Sequence, residues 1–222
     1  MDIGENVSDA IKYPLNDWVK IIILGVISII PIVDFISLGY YLRIIQSTLV
    51  GVDELPEFDE FGDLFIDGLK VLIANIIYFI IPIIFYILAW LFASSMTYSS
   101  GYYLPAFAGI SALFLILFVI SLIIAYILFL PALVNMAFYD ADIGAAFRFD
   151  EIMDRIRQIG WAEYIIWIIV MLVISGVLLF LVTLIGSVLL IILIGVLVYI
   201  FGYTYIYMFI IRSLALLFAG TE

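Results

Sequence analysis

The chain has 222 residues, of which 68% are hydrophobic and 12% charged, with a formal net charge of -11 and a mean hydropathy of +1.35. A soluble domain carries roughly 25% charged residues. Too few polar groups are present here to cover a wetted surface, so composition excludes an ordinary soluble enzyme, and its high hydrophobicity excludes a disordered chain. What remains is an all-α polytopic transmembrane helical bundle.

Residues 1–17 are polar and predict an interfacial segment, with Ser8 and Asp9 capping a short helix that Pro14 interrupts. The opening Met1-Asp2-Ile3-Gly4-Glu5 is acidic, unlike the basic start of a secretory signal, so the first apolar stretch is expected to stay as a membrane segment. That stretch runs from Val19 to about Leu42, roughly 36 Å as a helix. Pro31 and Asp34 interrupt it. It reads either as one kinked span or as a hairpin of two short segments turning at Pro31–Asp34. Next comes the acidic connector Asp53–Lys70, with Phe58, Phe61, Phe65 and Leu69 on one helical face and Asp59, Glu60, Asp63 and Asp67 on the other.

Val71–Phe92 is a second span, kinked at Pro82. A charge-free loop rich in Ser, Tyr and Gly follows, and Tyr98, Tyr102 and Tyr103 suit an outer aromatic belt. A third apolar stretch, Ile110–Leu130, continues past Pro131 towards Tyr139. The second charged connector, Asp140–Glu163, sets Ile152, Ile156 and Ile159 opposite Asp150, Glu151, Asp154, Arg155 and Arg157. Glu151 and Arg155 stand at ion-pair spacing. Both connectors read as amphipathic helices in the membrane interface. Trp161, Tyr164 and Trp167 suit a cytoplasmic belt. The block from Tyr164 to about Ile211 is long enough for two spans, with Gly186-Ser187 as the expected turn. Tyr199, Tyr203 and Tyr207 share one face of its second half and read as helix packing and an interfacial belt.

The two connectors match at an offset of 91, Phe58-Asp59-Glu60 with Asp63 against Phe149-Asp150-Glu151 with Asp154. An internal duplication follows: repeat 1 over about 18–93, repeat 2 over about 109–184, and a final span over about 187–211. The repeat favours five spans, whereas the hairpin makes six. Arg43, Lys70, Arg148, Arg155, Arg157 and Arg212 all fall on the connector side, so the connectors and the C-terminus are expected in the cytoplasm. Five spans put Lys12 and Lys20 outside; the hairpin puts them inside.

The chain has no Cys and no His, which excludes thiol catalysis, disulfides, Cys/His metal sites and His-based triads. The acidic balance excludes a nucleic-acid footprint. No catalytic, cofactor-binding or metal-ligating residue is expected, and no enzymatic motif is present. Asp34, Asn75 and Asn135 stand out among the polar residues that interrupt apolar sequence. They mark either a solute path or, for Asp34 in the hairpin reading, a turn near water and, for the asparagines, interhelical hydrogen bonding. Arg43 is expected to snorkel to the interface or to pair with the acidic connector. The acidic residues Asp59, Glu60, Asp63, Asp67, Asp150, Glu151 and Asp154 form a surface suited to a partner.

Gly39-Tyr40 with Arg43, Leu55-Pro56-Glu57-Phe58, and Leu64-Phe65 followed by Gly68-Leu69-Lys70, preceded by Tyr13-Pro14 and Asp17-Trp18, resemble the archaeal membrane proteins grouped as domain of unknown function 4013. The resemblance is specific over residues 13–70 and general afterwards. It implies an archaeal integral membrane protein and carries no activity. In it Pro56 starts the surface helix and Gly68 allows close packing. The expected function is a non-enzymatic scaffold or accessory subunit in the cell membrane. Its partners would be membrane lipids and either a membrane or cytoplasmic protein or a second copy. The alternative is a transporter or channel for a small solute or cation.

Overall fold

The structure, a computed structural model, describes residues 2–95 and 104–220. The expected outer tyrosine belt at Tyr98, Tyr102 and Tyr103 lies outside the described residues. The elements are α1 (Ile3–Lys12), α2 (Trp18–Ile27), α3 (Asp34–Leu49), α4 (Phe61–Ser95), α5 (Leu104–Phe138), α6 (Phe149–Ile159), α7 (Trp161–Leu189) and α8 (Ile194–Phe218), with no strand among the described residues. Four of them, α4, α5, α7 and α8, are long and apolar enough to cross a membrane. Their length answers to the ~30 Å hydrocarbon thickness, which takes about 20 helical residues.

In α1, Glu5 lies in the first turn and Lys12 in the last, each favourable to the helix dipole. Ser8 and Asp9 are inside this helix, not at its start as expected, because the helix begins directly after Asp2. Pro14 sits in the first turn of a short 3-10 helix, Tyr13–Asn16. The working cap is Asp17, whose Oδ1 accepts from the backbone N–H groups of Val19 (3.0 Å) and Lys20 (3.2 Å) and so starts α2.

The first apolar stretch is two helices and not one kinked span. The chain turns over Ser28–Val33 between α2 and α3. Pro31 lacks an N–H and its ring opposes a continuing helix. Ser28 Oγ bonds the Leu24 carbonyl at 3.0 Å and meets Ser37 Oγ at 3.1 Å, tying the two arms together. With ten residues, α2 is about 15 Å long, half of what a span needs.

The first acidic connector also departs from expectation. Asp53–Glu60 is not helical, and the helix starts at Phe61, five residues beyond Pro56, then runs unbroken into α4. Tyr40 explains part of this, since its hydroxyl donates to the Pro56 carbonyl (2.8 Å) and its ring stacks on Phe58 at 4.3 Å. Those contacts hold the segment against α3. In the second connector a 3-10 turn, Ile143–Phe147, precedes α6. Gly160 then takes φ 102, a left-handed conformation open to glycine, and separates α6 from α7. In α6, Ile152 and Ile156 are buried while Asp150, Asp154 and Arg157 are exposed. Arg155, expected on the polar side, is buried.

The last apolar block turns at Leu190–Leu193, with Leu193 at φ 63, and not at Gly186-Ser187. Gly186 instead lets the two helices touch: a Cβ on Gly195 would stand 2.1 Å from the Gly186 carbonyl oxygen.

The chain forms two compact units. The smaller is Ile73–Leu130, a stretch without a single Asp, Glu, Lys or Arg. Its α4 and α5 portions run antiparallel, zipped by Tyr78–Phe129, Tyr86–Phe118 and Phe92–Phe114 ring contacts and by the Ser111 hydroxyl on the Ala89 carbonyl (2.9 Å). The larger unit joins the chain up to Leu72 with the chain from Pro131, and it holds all eight Lys and Arg. There α3 crosses the start of α4 backbone to backbone. A Cβ on Gly39 would lie 1.9 Å from the Leu64 carbonyl oxygen, and one on Gly68 1.7 Å from that of Phe35. Small residues at such crossings are what helix packing in lipid requires.

Replacing Gly39 or Gly68 by Ala should therefore force α3 and α4 apart at a cost of about 1–3 kcal/mol or more. Gly176→Ala, where nothing lies within 4 Å, should leave stability unchanged or slightly raised. Thermal unfolding in detergent checks both.

Candidate functional site

The polar chemistry of the larger unit is gathered into three buried clusters. The first centres on Arg212 of α8, 2% exposed. Its Nε donates to Asp9 Oδ1 of α1 (3.0 Å), its Nη1 to Thr48 Oγ1 of α3 and to the Val52 carbonyl (both 3.0 Å), and its Nη2 to Asp53 Oδ1. The guanidinium also lies 4.5 Å over the Tyr13 ring. Four of its five N–H donors are thus matched. A buried guanidinium is tolerated on those terms, because an unpaired charge in a low-dielectric interior is costly. Burial pushes the Tyr13 hydroxyl up to about 12, and that hydroxyl donates to the Glu54 carbonyl at 3.3 Å. Beside the cluster is an open cleft of about 670 Å³, lined in part by Asp2, Glu5, Asp9, Lys12, Asp53 and Arg212.

The second cluster centres on Asn135 of α5, fully buried. Its amide nitrogen donates to the Ala145 carbonyl (2.9 Å) and to Glu151 Oε2 (3.1 Å), and its oxygen accepts from Arg155 Nε (2.8 Å). The Arg155 guanidinium lies 4.2 Å over Phe138. Arg148 pairs with Asp142 (3.1 Å) and Glu151 (3.5 Å) and lies over Tyr139. One asparagine thereby pins the second connector to the end of α5. The Asn135 hydrogen bond, followed by the Arg148 charge, holds the Glu151 carboxyl below its usual range, and burial lowers the Arg155 pKa. The third cluster joins α1, α7 and α8. Asn6 and Ser213 exchange hydrogen bonds, and Trp167 Nε1 donates to Ser213 Oγ at 3.0 Å.

Of the residues expected to line a path, Asp34 lies half-buried in the first turn of α3, Asn75 lies half-buried in the smaller unit, and Asn135 is the hub just described. Among the acidic residues expected to face a partner, Asp59, Glu60, Asp63, Asp150 and Asp154 are exposed, and Asp67 and Glu151 half-buried. Asp59 and Glu60 pair with Arg43, Asp67 with Lys70, and Asp154 with Arg157. Arg43 therefore takes the salt bridge to the connector. Tyr164 and Trp167 are buried, 0% and 1% exposed, so only Trp161 remains of the expected cytoplasmic belt. The α8 tyrosines pack as expected, Tyr199 on Tyr203 and Ser187, and Tyr207 on Tyr41. Among the described residues no group of three or more His, Cys, Asp or Glu could hold a metal ion.

Sequence reasoning missed Arg212 as a hub, along with Asp9, Tyr13 and Asn6. A signal was present: Arg212 is the lone charge in the apolar run from Tyr164 to Phe218, and a charge there requires partners. Which acids supply them is a matter of contacts about 160 and 200 residues away in sequence.

A family model described as "Protein of unknown function (DUF4013)" matches residues 23–187. The chain belongs to that family. No curated protein and no solved structure matches it. The family match extends from α2 to near the end of α7, so it includes the Gly39–Gly68 crossing and the Asn135 hub. Arg212, Asp9, Tyr13 and Ser213 lie outside the matched stretch.

Two expectations follow. Asp9→Asn and Asp53→Asn should each cost little alone, since the other carboxylate stays on Arg212, and the double variant should lose more stability than their sum; a thermal double-mutant cycle measures it. For Glu151 the folded pKa lies below the unfolded one, so its contribution is complete above the ordinary carboxylate range and is lost as pH falls through the folded value. Hydrogen exchange of α6 should quicken on that acidification, and Glu151→Gln should flatten the pH dependence.

Proposed function

We propose that this protein is a non-enzymatic scaffold or accessory subunit of the cell membrane. Its four apolar helices anchor it among membrane lipids, and its acidic cytoplasmic end receives a basic segment of a partner protein. One observation supports this best. The buried polar side chains at that end are occupied within the fold, Asn135 and Arg155 by each other and Arg212 by Asp9 and Thr48, while Asp63, Asp150 and Asp154 are exposed. The chemistry inside serves the fold, and the surface carries net negative charge. A like-signed surface of this kind steers and selects a basic partner. α6 lies in the interface as an amphipathic helix, with Ile152 and Ile156 inward and its acids outward. A transport path has less support, because both sides of the Asn135 amide are already occupied.

The orientation follows from Lys and Arg. With the first stretch folded as a hairpin, Lys12 and Lys20 join Arg43, Lys70, Arg148, Arg155, Arg157 and Arg212 on one side. Lys20 donates to Glu57 (2.9 Å) and the Leu55 carbonyl (2.8 Å), and Asp9 meets Arg212. The positive-inside rule makes that side cytoplasmic.

The chain lacks cysteine, so single cysteines report topology directly. Ser8→Cys and Asp154→Cys should react with an impermeant maleimide only after cells are permeabilised; labelling of either in intact cells reverses the orientation. Native electrophoresis of the protein extracted from its own membranes should show a species larger than the bare chain. The Asp63→Asn/Asp150→Asn/Asp154→Asn variant should run as the bare chain. A wild-type protein that already runs alone sinks the scaffold reading.

A further inference from the structure

We infer that α2–α3 is a re-entrant hairpin: it enters the bilayer from the charged side, turns within the hydrocarbon and returns, and its tip is an interaction surface for lipid acyl chains. The inference rests on the membrane reading and is independent of any partner. Both arms are fixed at the charged end, through Lys20 on Glu57, Tyr40 on the Pro56 carbonyl and Arg43 on Asp59. Depth is read along α8, which packs against both arms. Tyr207 stacks on Tyr41, and Arg212 bonds Thr48, so α3 and α8 run parallel and Asp34 falls level with about Tyr199. On the other arm, a Cβ at Gly25 would meet Ile200 and Phe201 at 2.9 and 3.0 Å, which gives the same level independently. From Arg212 to Ile194, α8 covers about 27 Å, close to the ~30 Å hydrocarbon core. Asp34 and Gly25 therefore lie about 20 Å below Arg212 and about 8 Å short of the α7–α8 turn, and the Ser28–Val33 turn occupies part of that remaining depth.

The tip has the chemistry that such a position demands. Ile29, Ile30 and Ile32 are 56%, 52% and 71% exposed, a surface unsuited to water. Backbone groups in lipid need internal partners. Here the N–H groups of Ser28, Ile29, Ile30, Val33, Asp34 and Ile36 bond to carbonyls of the hairpin itself, and Pro31 has none to satisfy. Asp34 opens α3, where the helix N-terminus favours a carboxylate. The hairpin thus holds one ionisable group inside the hydrocarbon region instead of at a wetted turn.

The test uses single cysteines in the full chain, reconstituted in vesicles of phosphatidylcholine and phosphatidylglycerol. Lys12→Cys marks the charged side, Ile191→Cys the far turn, and Leu172→Cys the interior of α7. An impermeant maleimide should label the first two from opposite sides and leave Ile30→Cys and Ile32→Cys unlabelled from both. A nitroxide attached to the introduced thiol of Ile30→Cys or Ile32→Cys should show high accessibility to oxygen and low accessibility to a nickel chelate. Labelling of the tip from the Ile191 side means that the hairpin crosses and overturns the proposal. Labelling from the Lys12 side means that it lies outside the bilayer and overturns it too. Low oxygen accessibility at both positions would mean the tip is covered by protein, not lipid, and also overturns it. If Leu172→Cys is labelled as well, the membrane reading itself fails.

Discussion

Hydrocarbon does not solvate charge, and the organisation of this protein follows from that constraint. Residues 73–130 carry no ionisable Asp, Glu, Lys or Arg, and they form a compact unit of their own. All Lys and Arg lie in the other unit. Where one of them is buried, a specific set of partners surrounds it: Asp9, Asp53, Thr48 and Val52 around Arg212, and Asn135 with Phe138 around Arg155. The cost of burying a guanidinium without partners is what makes those contacts specific. Arg212 in particular ties α1, α3 and α8 to the first connector. The ends of the chain are joined at the same place through Asn6, Ser213 and Trp167.

The same solvent removes the hydrophobic effect as a force between helices, and close contact takes its place. Gly39 and Gly68 bring α3 onto α4 at a distance no side chain could tolerate, and Gly186 and Gly195 do the same for α7 and α8. The Gly39–Gly68 crossing lies at the first connector, and the Gly186–Gly195 contact at the α7–α8 turn. The first half of the first connector stays non-helical, where Tyr40 and Arg43 of α3 hold Pro56 and Asp59. The second connector holds α6, whose Ile152 and Ile156 are buried, and Asn135 ties that connector to the end of α5. Sequence similarity between the connectors therefore coexists with different backbone paths.

Legibility divided along physical lines. The long apolar helices were legible because a span is a local property of twenty or so residues. Their proline positions, Pro82 and Pro131, lie inside helices as the apolar runs implied. The hairpin was legible only as one of two options, since Pro31 and Asp34 suit either a kink or a turn. The site was legible in parts. Asn135 and the exposed acids could be named, but its hub role could not, because the partners of Asn135 come from α6 and the turn before it.

By itself the sequence determined the solvent, the long helices and the gathering of charge into a few segments, all of which follow from composition and local periodicity. Only the tertiary structure decided where the chain turns at Ser28–Val33 and Leu190–Leu193, that Asp53–Glu60 is not helical, and that Arg212 is the hub. Those outcomes depend on glycine contacts and hydrogen bonds between residues far apart in the chain. Such contacts have no signature in any local window of residues.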